Sequence, residues 1–428
     1  MAAIESIITI KKRKLAMAIK RTNESIEICT ESEMLRLNEK AFTRKRSLFA
    51  KKVLQIILHR LYHSLQLCLD KYFDDIGEIS VSKQAFSKSR QYLNPEYVRS
   101  FADMTSGLAA EDDAMPSYLG MRLIAIDGSD TALENTLELR EAFGCAGSNK
   151  NAATALVSIA YGPLDHVIYD CRIDRYETDE RTLAKAHVHR LKELGLVESL
   201  LLFDRGYPSA EFISFLCDSG FQFVMRVRAK FNIETDNIKT QGWISINHEN
   251  KEYGVRVLKI PLPTGEIETL ITTLNQKQLP ISKAGALYFQ RWGIETAYDL
   301  LKSKLELENF SGKTKVSVLQ DFYATMYLAN IIAFAAEEAD ELIAEADSGK
   351  KLKYPRKANR NRAISNLRRV FIDLIAEPDD VKRNAKLDKL VKYITRYPVP
   401  VVPDRSPKRK LPRKKRFYIG RRSVVSLS

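Results

Sequence analysis

The sequence predicts an α/β protein built on a mixed sheet, with a helical region before it and more helices after it. Three observations predict this. Between residues 121 and 228, apolar runs and amphipathic stretches follow the order β-β-β-α-β-α-β. The first 110 residues carry apolar side chains at helical spacing. Residues 229 to 279 read as strand-like pieces between turn residues, without helix signals, and so as an all-β insertion.

Composition narrows the class. The 428 residues are 45% hydrophobic and 29% charged, which suits a globular chain able to bury a sizeable core. Formal net charge is +14, and Arg405 to Arg422 alone holds ten Lys/Arg and no acid. That balance points to a polyanionic partner such as nucleic acid. No apolar run approaches the roughly 18 residues a membrane span needs, and no secretory leader is recognisable, so a cytoplasmic protein is expected. Cys29, Cys68, Cys145, Cys171 and Cys217 stand alone, which suits reduced thiols. His187 and His189 sit two apart in a helical stretch and face different sides, so zinc is not expected.

Taken in order, Leu48 to Tyr72 carries apolar residues at helical spacing, Leu54, Ile57, Leu61, Leu65 and Leu69, before a turn at Asp74 to Gly77. Ser82 is placed to cap a short helix through Arg90, and Asn94–Pro95 opens another. Lys83, Lys88 and Arg90 on that short helix suit groove or backbone contact with DNA, an ordinary basic surface helix being the alternative. Residues 102 to 120 read as a polar linker. Strands follow at Met121–Ile126, Ala153–Tyr161 and His166–Arg172, the last two joined by a turn at Gly162–Pro163. Glu180 to Leu194 is an amphipathic helix, Ser199 to Phe203 a fourth strand, Pro208 a helix start and Phe221 to Arg228 a fifth strand. Beyond the insertion a helix starts near Ser282, and Val318 to Ala346 is a long helix, apolar first and acidic later. Residues 364 to 394 read as helical, and the Pro- and Arg/Lys-rich tail from Pro398 as unstructured without a partner.

Two aspartates directly follow apolar runs: Asp127 after MRLIAI and Asp204 after SLLLF. Either alone suits a turn or a helix cap. If the two strands are parallel neighbours, the carboxylates lie side by side and repel unless a cation sits between them. Mg²⁺, or Mn²⁺ in its place, suits an all-oxygen site. A third carboxylate would let two ions bind about 4 Å apart for phosphoryl chemistry. Tyr288 to Lys302 offers it. Wound as an α-helix, Arg291, Glu295 and Lys302 fall within about 60° of Tyr288. A solvated face is the alternative, but one acid among a phenol, a guanidinium and an ammonium suits phosphate beside a metal ion.

These residues resemble the DDE transposases of the insertion-sequence-four group, whose signature is Tyr-x2-Arg-x3-Glu-x6-Lys. Tyr288, Arg291, Glu295 and Lys302 match it position for position. IAIDGSD around Asp127, LLLFDRGYPS around Asp204, QRWGIE and VSKQAFSKSR look like the family, over about residues 80 to 370. The resemblance implies a ribonuclease H-like mixed-sheet catalytic core with a β-strand insertion before the glutamate. It implies that Asp127, Asp204 and Glu295 are catalytic and hold two Mg²⁺ ions, with Mn²⁺ able to substitute. It implies cut-and-paste DNA transposition by hydrolysis and strand transfer, through a DNA hairpin, acting on terminal inverted repeats and target DNA in a synaptic homodimer, with no membrane partner. Tyr288, Arg291 and Lys302 carry over as DNA contacts, and Arg205 beside Asp204 is added to them. An extruded base stacks on an aromatic ring, which makes Trp243 and Trp292 candidates, with core packing the stronger reading for Trp292.

The domains expected are a helical DNA-binding region at 1–110, core parts at 120–228 and 280–346, the insertion at 229–279, and basic helices with a tail at 347–428. Localisation would be cytoplasmic and nucleoid-associated. Two rival functions remain open: an inactive or domesticated DNA-binding relative, and a nuclease on the same core.

Overall fold

The computed structural model describes residues 13–43, 47–59, 64–147 and 151–402. Leu61 and the basic tail from Arg405 lie outside the described residues. The chain divides into two compact units. The first takes Met1–Ala102, Thr131–Ala155 and Glu306–Ser428, and the second Asp103–Asp130 and Leu156–Leu305.

Among the described residues five α-helices come first: α1 (Lys14–Glu27), α2 (Ala50–Leu58), α3 (Leu65–Asp75), α4 (Lys83–Arg90) and α5 (Pro95–Ala110). The helical spacing over Leu48 to Tyr72 is met by α2 and α3. Ser82 caps α4 as its sequence predicts, the hydroxyl accepting from the Ala85 N–H at 3.2 Å. Pro95 starts α5, and that helix runs through half of the stretch expected to be a linker. Its apolar residues Phe101, Leu108 and Ala109 are buried, which explains why the helix continues.

The sheet elements are β1 (Arg122–Ala132), β2 (Cys145–Ala146), β3 (Ala152–Tyr161), β4 (Ile168–Arg175), β5 (Ser199–Phe203), β6 (Gln222–Arg226), β7 (Gln241–His248), β8 (Lys251–Pro261) and β9 (Ile267–Thr272). Helices α6 (Leu137–Phe143), α7 (Glu180–Glu193), α8 (Ala210–Asp218) and α9 (Ile233–Asn237) lie between them. In the second unit the sheet order is β3-β1-β5-β6-β9-β8-β7, with β4 beside β3. β1, β5 and β6 run parallel, with Ala125 opposite Leu202 and Leu202 opposite Val224. All five residues of β5 are buried, as expected of a parallel strand covered on both faces. The stretch expected to be all strand also contains α9, whose Asn232 cap accepts from the Thr235 N–H at 2.7 Å. β9 pairs antiparallel with β6, so these strands extend the sheet itself.

After β9 come α10 (Ile281–Phe289) and α11 (Gly293–Asp299), then α12 (Lys315–Asp347), α13 (Arg360–Ile375) and α14 (Asp380–Thr395). The first unit is organised on α12. Its segment from Phe322 to Ala336 is buried on every face, as an all-round apolar helix must be, and it packs on α1, α2, α13 and α14. By length and composition it is apolar enough to cross a membrane, yet 94% of its most apolar window is buried within the protein.

Arg90 departs from its expected role. It is 1% exposed and cannot lie on a DNA-facing surface. Its guanidinium donates to Asp321 at 2.8 Å, Gln320 at 2.7 Å, Ser311 at 2.6 Å and the Ser317 carbonyl at 3.2 Å. α4 packs its C-terminal end inward, while Lys83 and Lys88 remain exposed on it. Removing one partner of a buried pair leaves an uncompensated charge, so Arg90→Ala should lose about 3–5 kcal/mol of stability. Urea unfolding checks this, and Lys83→Ala and Lys88→Ala should unfold like the parent.

Candidate active site

Asp127 and Asp204 come together as the strands predict, with one difference. β1 does not stop at Ile126 but continues to Ala132, so Asp127 is mid-strand. The register that sets Ala125 opposite Leu202, carried two residues further, brings Asp127 level with Asp204 just past the end of β5. Asp127 Oδ1 accepts from the Gly128 N–H at 3.0 Å, and Asp204 Oδ1 accepts from the Gly206 N–H at 2.7 Å. Burial, and then the neighbouring Asp204 charge, push the Asp127 carboxyl up to about 7. Arg291 and the Gly128 N–H oppose that rise, and Glu180 adds to it.

The signature segment is helical but not one regular helix. A 3₁₀ turn at Gln290–Trp292 separates α10 from α11, and a π-helical turn at Leu300–Lys304 follows. Of the residues expected to share one arc, Tyr288, Arg291 and Glu295 stay in mutual contact through the arginine. Tyr288 is 3% exposed, and its hydroxyl donates to the Phe203 carbonyl at 3.2 Å, tying the segment to the residue before Asp204. Arg291 is 8% exposed. Its Nη2 donates to Glu295 Oε1 at 3.1 Å, and its Nη1 lies 3.7 Å from Asp127 Oδ2. The guanidinium also lies over the rings of Tyr288 and Trp292, at 5.7 and 5.8 Å from their centroids. Glu295 is thus joined to Asp127 through an arginine. Lys302 donates its ammonium to the Asp130 carbonyl. Tyr288 and Lys302 thus spend their donors on backbone carbonyls, Arg291 meets the sheet acid Asp127, and Glu295 stays exposed.

Gly293 lets this packing happen. A Cβ there would lie 2.8 Å from Pro163 Cβ and 3.7 Å from Tyr161 Cε1. The segment therefore lies against the turn after β3 as closely as backbone allows.

Several contributors escaped the sequence reading. Glu180, the first residue of α7, has its carboxylate 3.1 Å from where a Gly128 Cβ would stand. Burial and Asp204 raise its pKa. An acid in a first helical turn is ordinary, so nothing marked it. His187 is fully buried between Asp170, 2.7 Å from Nδ1, and Ser158, 3.0 Å from Nε2. The Asp127 carbonyl accepts from Ser158 at 3.2 Å and from the Tyr298 hydroxyl at 2.9 Å. Of the aromatic candidates, Trp243 is 55% exposed on β7. Trp292 is 44% exposed and stacks on Phe289 at 6.4 Å, so the core-packing reading for it does not hold. Arg205 is exposed beside Asp204.

Among the described residues no three His, Cys, Asp or Glu side chains stand together closely enough to hold a metal ion. Asp127 and Asp204 nonetheless suit a hard divalent cation. Both offer oxygen only, their proximity disfavours a second negative charge, and the nearest positive charge is the Arg291 guanidinium, at the edge of ion-pair range. Glu295 is outside that pair as placed.

A family model described as the transposase DDE domain matches residues 118–331, half of the chain. Curated proteins yield no match. Among solved structures the chain is similar to a piggyBac transposase synaptic complex with hairpin DNA. The TM-score is 0.46 and the identity 12%, over 93% of this chain and 86% of that one.

Two outcomes follow from the geometry. A carboxyl raised from 3.8 to about 7 binds more protons in the folded than in the unfolded chain, so its contribution is complete below about pH 4 and lost as pH rises through 7. In chelator, thermal midpoints of the parent should fall over that window, and Asp127→Asn should flatten the fall. Ala normally favours a helix by about 1 kcal/mol over Gly, but Gly293→Ala should instead destabilise by about 1–3 kcal/mol through overpacking against Pro163, as chemical denaturation would show.

Proposed function

We propose that the protein is a cut-and-paste DNA transposase; the chain belongs to the transposase DDE domain family, and that membership is the premise. The observation that carries the reading is the placing of Asp127 level with Asp204 on neighbouring parallel strands, with the Arg291–Glu295 segment against them. The spacing of Tyr288, Arg291, Glu295 and Lys302 supports assignment to the insertion-sequence-four group. The strand order β4-β3-β1-β5-β6, with β1, β5 and β6 parallel, supports a ribonuclease H-like core.

The reaction is cleavage of a phosphodiester at each end of an insertion sequence, through a hairpin at the transposon end, followed by attack of the freed 3′-hydroxyl on target DNA. Asp127 and Asp204 would hold the divalent cations, Mg²⁺ or Mn²⁺, with Glu295 as the third carboxylate. Bound there, such ions activate the attacking oxygen and offset charge on the leaving one. The chain's own groups set the stage. Asp127 must be ionised to act as a ligand, and Arg291 favours that form. Tyr288 fixes the segment to β5, and Lys302 fixes its far end to β1. Arg291 keeps a positive charge beside the acids, where a phosphate would approach. The exposed Trp243, Trp292 and Arg205 are suited to stacking and backbone contact with DNA.

Asp127→Ala, Asp204→Ala and Glu295→Ala should each abolish metal-dependent strand cleavage of terminal-repeat DNA while sparing binding in a gel-shift assay. Full cleavage by Glu295→Ala would remove the assignment. A protein that cleaves but never joins a pre-cut end to target DNA would be a nuclease. Lys302→Ala should lower the log–log salt slope of DNA binding by about one unit if its ammonium meets a phosphate in the complex.

A further inference from the structure

We propose that Asp170, His187 and Ser158 form a buried positioning line for Asp127, an inference that rests on the reading of Asp127 as a cation ligand. The line is continuous. Asp170 Oδ2 on β4 is hydrogen-bonded to His187 Nδ1 on α7 at 2.7 Å. His187 Nε2 meets the Ser158 hydroxyl on β3 at 3.0 Å. Ser158 donates to the Asp127 carbonyl on β1 at 3.2 Å. The same peptide group's N–H, that of Gly128, donates to Asp127 Oδ1 at 3.0 Å. One buried carboxylate is thereby linked through three groups, an imidazole, a hydroxyl and a peptide, to the carboxylate at the site.

Because the Ser158 proton goes to the Asp127 carbonyl, the hydroxyl oxygen is left to accept from His187 Nε2. Arg172 steadies Asp170, donating from Nε at 2.8 Å and from Nη2 to the Ala186 carbonyl at 3.0 Å.

This is not a nucleophile in waiting. Ser158 and His187 are both 0% exposed, and the serine proton is spent on a carbonyl. Nor does packing explain it, since apolar residues would fill the same volume without the cost of burying charge. The line ends at Asp127. Donors on that carbonyl polarise its peptide group, which makes the Gly128 N–H a stronger donor to the Asp127 carboxylate. The effect is to hold the carboxylate in one orientation, as outer hydrogen-bond partners do for metal-binding groups.

The test is Mn²⁺ titration of the purified full chain without DNA, read by electron paramagnetic resonance, with thermal midpoints recorded alongside. Ser158→Ala should bind Mn²⁺ about tenfold more weakly while staying folded, and Ser158→Thr, which keeps the hydroxyl, should return to within about twofold of the parent. Should Ser158→Ala fail to fold, Asp170→Asn takes its place and the same weakening is expected. Parent-like binding in the folded Ala or Asn variant, or a Thr variant as weak as Ala, overturns the line. Asp127→Asn serves as the reference. If it loses Mn²⁺ while Ser158→Ala does not, the line alone fails. If it binds like the parent, the reading of Asp127 fails with it.

Discussion

The site depends on keeping two carboxylates together where neither is fully solvated. Asp127 and Asp204 stand level because two parallel strands share a register, and backbone hydrogen bonds enforce that register whatever the side chains prefer. Their repulsion is a cost the fold must offset. It does so with Arg291 at 3.7 Å, with the Gly128 and Gly206 N–H groups, and by letting Asp127 hold a proton up to about pH 7. An acid pair left in that state is poised for a cation, because binding one releases repulsion already stored in the strand pairing.

The irregular helix follows from the same pair. A regular α-helix from Tyr288 to Lys302 would point one polar stripe in one direction. The 3₁₀ turn at Gln290–Trp292 and the π-helical turn at Leu300–Lys304 instead let Tyr288 reach Phe203, Arg291 reach Asp127, and Lys302 reach Asp130. Three anchors on two strands need changes of helical pitch between them, and deviations of this kind gather where side chains must be aimed. Gly293 allows it by removing the one atom that would meet Pro163.

Much of this was legible in the sequence because it rests on local signals. Apolar runs ending in Asp127 and Asp204 marked the strands, Ser82 and Pro95 marked helix starts, and the four-residue spacing marked the segment that meets them. What was not legible depends on tertiary partners. Nothing adjacent to Arg90 in the chain says that Asp321, 231 positions on, will consume its charge. Glu180 looked like any acid opening a helix, and His187 was read only as an unsuitable zinc ligand beside His189. Their meaning comes from Gly128, Ser158 and Asp170, which lie on other elements. The short strand inferred at Met121–Ile126 was cut off at Asp127 because a polar run normally ends a strand. β1 continues because its carbonyl at Asp127 is paid back by Ser158 and Tyr298.

Net charge illustrates the same limit. The chain carries 68 Lys and Arg, but their donors are not equally available to a polyanion. Arg90, Arg122, Arg291 and Arg383 point several donors each at protein acceptors: Arg122 at the carbonyls of Ala109, Ala110 and Asp112, Arg383 at Asp380 and the Glu377 carbonyl. A planar fork of five donors is suited to such fixed sites, whereas an ammonium on a flexible stem is suited to solvent. Lysines hold exposed positions at Lys83 and Lys88 on α4 and at Lys382, Lys389 and Lys392 on α14, although Lys14 and Lys52 are buried. Among the described residues, the charge left facing solvent is therefore carried by such lysines together with exposed arginines such as Arg205, Arg228 and Arg369, while the buried arginines are held in fixed geometry by protein acceptors.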